Sequence, residues 1–236
     1  MEHFATTRWS LVLDAGATLT PRGHAALSTL CELYWYPLYS YLRRRGHTAE
    51  DAQDLTQGFF ARLLEKHSLN VVDRSRGRFR SFLLASLDHY VSNERDRSRA
   101  QKRGSGAPPI SLDVAMAEDR YVREPEDPLT PERIFDRNWA LAVLDRVLNR
   151  LRAELHEAGK DDLFENLKGY LTGDQAAGSY HVVGASLGLT EGALKVAVHR
   201  LRRRYRALLY DEIAQTVATP EEVELELQYL IEAIKT

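Results

Sequence analysis

The residues best able to do chemistry lie between positions 179 and 210, and the chemistry is recognition of a polyanion. In SYHVVGASLGLTEGALKVAVHRLRRRYRALLY, six Lys/Arg (195, 200, 202, 203, 204 and 206) fall within twelve residues that contain no acid. Leu194, Val198, Leu201, Tyr205 and Leu208 recur at spacings of four, three, four and three, one apolar stripe at helical period. Gly192, Val196, His199, Arg200, Arg203 and Arg206 fall on the opposite face, with Lys195 on its flank. A helix buried along one side and cationic along the other suits a DNA major groove when a short helix and a tight turn precede it. Residues 179–187 read as that short helix, Gly188 as the turn, Leu189 as the plug between the helices and Thr190 as the N-cap of the second. The plainer reading of such a helix is a solvated charged face in an ordinary bundle.

A second cationic stretch covers residues 74–104, RSRGRFRSFLLASLDHYVSNERDRSRAQKRG. It is basic at both ends and carries Phe79, Phe82, Tyr90 and His89 between them, so cations could follow phosphates while aromatic faces accept unstacked bases. A core helix flanked by surface arginines has the same composition. The aromatic run Tyr34, Trp35, Tyr36, Tyr39 and Tyr41 reads as core rather than as a base-stacking platform. Asp51, Asp54 and Gln57 fall off the apolar stripe of their helix; they are either a solvated, dipole-favoured N-terminal face or a docking surface for a large partner.

These groups need helices to position them, and the chain supplies little else. A short amphipathic helix is expected around Trp9 to Leu13. The next runs from about Arg22 to Arg45, with Leu27, Leu30, Tyr34, Tyr41 and Leu42 on one face, a kink at Pro37 and a stop at Gly46. Thr48 caps a third, with Asp51 three residues on and the stripe Ala52, Leu55, Phe59 and Leu63. Residues 104–130 open on GSGAPP, close on DPLTP and hold six acids, which reads as a linker and a domain boundary. Thr130 and Pro131 then start a long helix with the stripe Leu141, Leu144, Leu148, Leu151 and Leu155, ended by Gly159. A short helix over 161–171 precedes the helix–turn–helix. TPEE at 219–222 is a capping box opening a terminal helix lined by Val223, Leu227, Leu230, Ile231 and Ile234. No strand signal survives, so the fold class is all-α, in two helical domains. The expected division is 1–103, a linker over 104–130, a second domain over 131–210 and an acidic amphipathic tail over 211–236.

The net charge of −2 on 236 residues hides segregation. Residues 71–103 hold nine Lys/Arg against four acids, and residues 211–236 hold seven acids against Lys235 alone. A single cysteine, Cys31, excludes an internal disulfide and a cysteine metal cluster. There is no signal peptide and no apolar run near membrane-spanning length, so a soluble cytoplasmic protein is expected, with no membrane partner. No Gly-rich phosphate loop, Cys/His ligand spacing or paired acid–base group appears; neither an enzyme nor a cofactor or metal is expected.

The phrases TRWSLVL, YWYPLYSYLRRRG, AQDLTQGFFARLLEK, GRFRSFLL, NERDRSRAQKRG, LTPERIFDRNWAL and KVAVHRLRRRYRALL, in that order, resemble bacterial RNA polymerase sigma factors of the extracytoplasmic-function type, in a subgroup common in planctomycetes. The resemblance covers about 27–104 and 138–209. It implies a first domain that docks on the polymerase clamp and opens the −10 element, and a second that reads the −35 element and touches the flap. Asp54, Leu55, Gln57 and Phe60 match the core-docking helix, with Asp51 beside them; Thr56 and Gly58 depart from its usual Val and acid. Arg78, Phe79, Arg80, Phe82, Leu83, His89 and Asn93 fall on the −10 helix and its loop, where relatives often carry Trp at 82, Asn at 89 and Asp at 93. Lys195, Val196, His199, Arg200 and Arg203 match the −35 reading helix. Ala193, Val196 and Ala197 replace the polar residues common there, leaving Val196 for a thymine methyl and Lys195 or Arg200 for guanine. The implied partners are core polymerase, promoter DNA and, for regulation, an anti-sigma factor or a Ser/Thr kinase acting on Thr56 or Thr48. A second regulatory expectation is that the acidic tail masks the basic helix, or else completes the second domain's core. The alternative to a sigma factor is a two-domain helix–turn–helix regulator that binds DNA without polymerase.

Overall fold

The computed structural model describes residues 21–65, 79–100, 114–123, 128–172, 179–214, 217 and 219–235. The expected first helix near Trp9, the basic residue Arg78 and most of the expected linker lie outside them. The described residues form helices joined by turns and contain no strand. The elements are α1 (Pro21–Arg44), α2 (Ala49–Glu65), α3 (Phe79–Ala100), α4 (Val114–Arg123), α5 (Pro131–Glu157), α6 (Asp161–Leu167), α7 (Gly169–Thr172), α8 (Tyr180–Ser186), α9 (Glu191–Ala214) and α10 (Pro220–Lys235). None is long and apolar enough to cross a membrane.

Two compact units emerge, and they divide the chain differently from the expectation. One comprises Met1–Ala142 with Ile213–Thr236, the other Val143–Glu212. The long helix α5 contributes to both, and the acidic tail belongs to the first from Ile213 onward.

In the first unit the aromatic run of α1 is core, as its helical spacing implies: Tyr34, Tyr39 and Tyr41 are fully buried beside Leu33, Leu38 and Leu42. Helix α1 continues through Pro37 and ends at Arg44. Gly46 then takes φ +87°, and the His47 N–H bonds back to the Leu42 carbonyl at 3.2 Å. Thr48 caps α2, its Oγ1 accepting from the Asp51 N–H at 3.1 Å. Helix α3 buries Phe79, Leu83, Leu87 and Val91, each four residues from the last, with Phe79 edge-on to Tyr34 at 5.5 Å. Within the span expected to be a linker, α4 packs on α1. Glu118 accepts from the Tyr39 hydroxyl and from Arg43, and Tyr121 lies under Arg43 and Arg44. Six apolar or aromatic residues in VAMAEDRYVR outweigh the Gly/Pro punctuation around them. The N-terminal part of α5 buries Ile134, Phe135, Asn138, Trp139 and Ala140 here.

In the second unit the core is Val147, Leu151, Phe164, Leu167, Leu194, Val198, Leu201 and Leu208. The buried stripe of α5 therefore runs through Trp139, Val143, Val147 and Leu151; of the expected leucines, 141, 144, 148 and 155 flank it. Gly159 ends α5 at φ +66°, as expected. The span 161–171 forms two short helices rather than one, broken at Lys168.

Candidate nucleic-acid interface

The helix–turn–helix forms where its local signals place it. Ser179 accepts from the Val182 N–H at 3.4 Å and so caps α8. The turn needs Gly188 at φ +65°, a conformation that costs a side-chain-bearing residue about 1 kcal/mol or more. Thr190 then caps α9, accepting from the Ala193 N–H at 3.2 Å. The two helices approach so closely that a Cβ on Gly184 would stand 2.9 Å from the Leu189 carbonyl oxygen. Leu189 is half-buried between them.

Helix α9 buries Leu194, Val198, Leu201 and Leu208, with Tyr205 half-buried in the same stripe. The opposite face presents Gly192, Val196, His199, Arg200, Arg203 and Arg206 to solvent, and Val196 is 49% exposed. The six cations differ in what holds them. Arg204 grips Glu154 of α5 with two hydrogen bonds, 2.6 and 2.7 Å, which pull the Glu154 carboxyl below its ordinary range and raise the guanidinium. Arg202 donates twice to the Tyr170 carbonyl, at 2.9 and 3.2 Å. Lys195 is paired with Glu191 at 2.7 Å and raised by that contact, with its ammonium 5.8 Å from the Tyr180 ring centre. Arg200, Arg203 and Arg206 have no such partner among the described residues. They step across the exposed face at intervals of three, a ready track for phosphates.

In the first unit the expected −10 residues separate into two groups. Phe82, His89 and Asn93 share one outward face of α3, Phe82 half-buried and the other two exposed. Phe79, Leu83 and Arg80 do not join them. The first two are core, and Arg80, 4% exposed, is enclosed by Asp136, Glu226, Trp139 and Tyr229. A guanidinium so enclosed is not available to DNA, which corrects the assignment of Arg80. The docking set divides likewise. Asp51 and Asp54 are exposed and Leu55 and Gln57 half-buried, whereas Phe60 is core. Thr56 is fully buried and its hydroxyl donates to the Ala52 carbonyl at 2.6 Å, so it is a quiet core residue and no kinase substrate in the folded chain. Thr48 is exposed, with its oxygen committed to the α2 cap. A Cβ at Gly58 would meet the Tyr90 hydroxyl, so an acid there requires the Tyr90 side chain to turn aside.

In the tail, the buried Val223, Glu226 and Leu230 belong to the first unit and not to the core of the second. Glu226 escaped the sequence reading because an acid in an acidic helix reads as solvated. Its one signal was position, three residues after Val223 and four before Leu230 on the apolar side. The chain matches no family model, no curated protein and no solved structure.

Proposed function

We propose that the chain is a promoter-recognition subunit of bacterial RNA polymerase, a non-enzymatic cytoplasmic sigma factor of the extracytoplasmic-function type. On this reading α9 reads the −35 element and the outward face of α3 engages the −10 element. The exposed face of α2 around Asp51 and Asp54 meets the polymerase clamp. The observation that carries it is the helix–turn–helix whose second helix buries one stripe and leaves Arg200, Arg203 and Arg206 unpartnered among the described residues on the other. The ordered motifs of the resemblance supply the polymerase. The test is a pull-down with core polymerase followed by run-off transcription on a promoter library. Co-elution and initiation at sites unused without the chain are expected. A core enzyme that ignores the chain, or starts at the same sites with and without it, refutes the reading.

The second reading, a helix–turn–helix regulator acting without polymerase, draws support from the burial of Phe79, Arg80 and Leu83. It requires tight duplex binding by the chain alone, in the nanomolar range or about 10⁻⁸–10⁻¹¹ M.

A further inference from the structure

We propose that Glu226 and Tyr229, on the last helix of the chain, are positioning residues for the outward face of α3, acting through Arg80. The proposal rests on the promoter reading and names what fixes its strand-opening surface.

Arg80 is the second residue of α3, and the first turn of that helix contains no acid. A cation there opposes the helix dipole, so local preference does not place it. Tertiary partners do. Its guanidinium carbon lies 3.9 Å from the Tyr229 ring centre and 5.1 Å from that of Trp139. Its Nη1 is 3.2 Å from Glu226 Oε1 and its Nε 3.4 Å from Asp136 Oδ1. The Tyr229 hydroxyl donates to the other oxygen of Asp136, which ties the two walls of the cage together. Half of the cage therefore comes from α5 and half from α10. Glu226 is 1% exposed, and an acid buried so deeply needs a partner of opposite charge.

Such a cage adds little net stability over apolar packing of the same volume, but removing one partner leaves the other charge buried and uncompensated, so it fixes where Arg80 sits. That position matters because an open pocket of about 300 Å³, lined by Arg80, Ser81, Leu84, Asp136 and Tyr229, adjoins the start of α3. The buried Phe79 and Leu83 hold one side of the first turns, and the cage around Arg80 holds the side that faces the pocket. Phe82 follows Arg80 by two residues, and His89 and Asn93 continue its face. A helix advances about 100° per residue, so modest rotation of α3 carries Phe82 off the strand it must meet. The acidic tail thus sets the rotation of the opening helix.

The test uses the full chain with core polymerase and compares wild type, Glu226→Gln, Glu226→Asp and Tyr229→Phe. Polymerase binding, affinity for −35 duplex and permanganate reactivity of promoter thymines are measured, the last on closed duplex and on a template with the −10 segment already unpaired. Glu226→Gln is expected to bind polymerase and −35 duplex as wild type does, to open closed duplex at least tenfold less, and to recover on the unpaired template. Glu226→Asp is expected to restore most of the opening, and Tyr229→Phe to show a smaller loss of the same kind. Wild-type opening by Glu226→Gln overturns the proposal. So does a loss on both templates together with polymerase binding, the pattern of a residue that only holds the fold. Failure of the wild-type chain to bind polymerase refutes instead the promoter reading beneath it.

Discussion

Replacing Arg203 or Arg206 with alanine should flatten the salt dependence of duplex binding, while replacing Arg202 or Arg204 should not. Composition counts all six cations of α9 alike, but only Arg200, Arg203 and Arg206 lack a partner among the described residues. Each phosphate neutralised contributes about −0.9 to the slope of log Kobs against log salt, so three free arginines give about −2.7. Affinity then falls roughly 40-fold between about 50 and 200 mM salt. Without one of them the slope is about −1.8 and the fall about 12-fold. Arg202 and Arg204 already serve the Tyr170 carbonyl and Glu154. Arg204→Ala should therefore keep the wild-type slope and lose about 0.2–1 kcal/mol of stability. Glu191→Gln should steepen the slope toward about −3.6, because it releases Lys195 from its 2.7 Å pair. The assay is fluorescence anisotropy of a labelled −35 duplex titrated with full-length protein at several salt concentrations. An Arg204→Ala slope as shallow as that of Arg203→Ala would refute the division of the cations.

Gly184→Ala should destabilise the second unit by about 1–3 kcal/mol, because the added methyl meets the Leu189 carbonyl, a backbone atom that cannot swing aside; a urea melt and the −35 affinity read it. Gly58→Glu, which returns to α2 the acid that the resemblance leads one to expect, should cost less, about 1 kcal/mol, because the atom it meets is the Tyr90 hydroxyl at the end of a side chain that can turn aside. Combining it with Tyr90→Phe should recover more than half of that loss, and equal melts for the single and double variants would exclude this collision as the cause. Burial, then the nearby charge of Arg95, lowers the His47 pKa below 6.5. The unfolded chain therefore takes up the proton more readily. The His47 contribution is intact above about pH 6.5 and is lost as pH falls through the folded pKa. Urea midpoints for wild type and His47→Gln should agree at pH 7.5 and separate at pH 5.5, with wild type the more weakened by acid.

The features legible in the sequence were those set by near neighbours. Ser179, Gly188 and Thr190 each act within four residues, and all three do in the fold what their types imply. The apolar stripe of α9 likewise needs only its own period. What escaped depends on where the chain returns. Arg202 and Arg204 look like Arg200 and Arg203 until Tyr170, 32 residues away, and Glu154, 50 residues away, are brought alongside. Arg80 looks like part of a phosphate track until Glu226 of α10 arrives. Helix α5 carries apolar residues on more than one face because two units draw on it, so its leucine count pointed to a neighbouring stripe. Helix α4 has the composition of a linker, with Gly, Pro and acids around it, and its helical signal is confined to apolar residues such as Ala117 and Tyr121, four apart and both packed within the first unit.

The same sorting bears on promoter opening. Separating about four base steps costs roughly 6 kcal/mol, at about 1.4 each. Stacking a freed base on an aromatic side chain returns about 1–3 kcal/mol. Two aromatics of α3 are spoken for: Phe79 is core against Tyr34, and Tyr90 fills the space over Gly58 and lies 6.0 Å from Phe59. Phe82 remains on the outward face, stacked on Phe79 from behind at 6.1 Å, which stiffens it as a platform for a single base. One base returned against four steps leaves a deficit of about 3–5 kcal/mol. A partner that grips the separated strands has to supply that deficit. The chain alone should therefore bind promoter duplex and leave it closed, with permanganate-reactive thymines appearing only when core polymerase is added. Reactive thymines produced by the chain alone would mean that opening draws on a surface other than the outward face of α3.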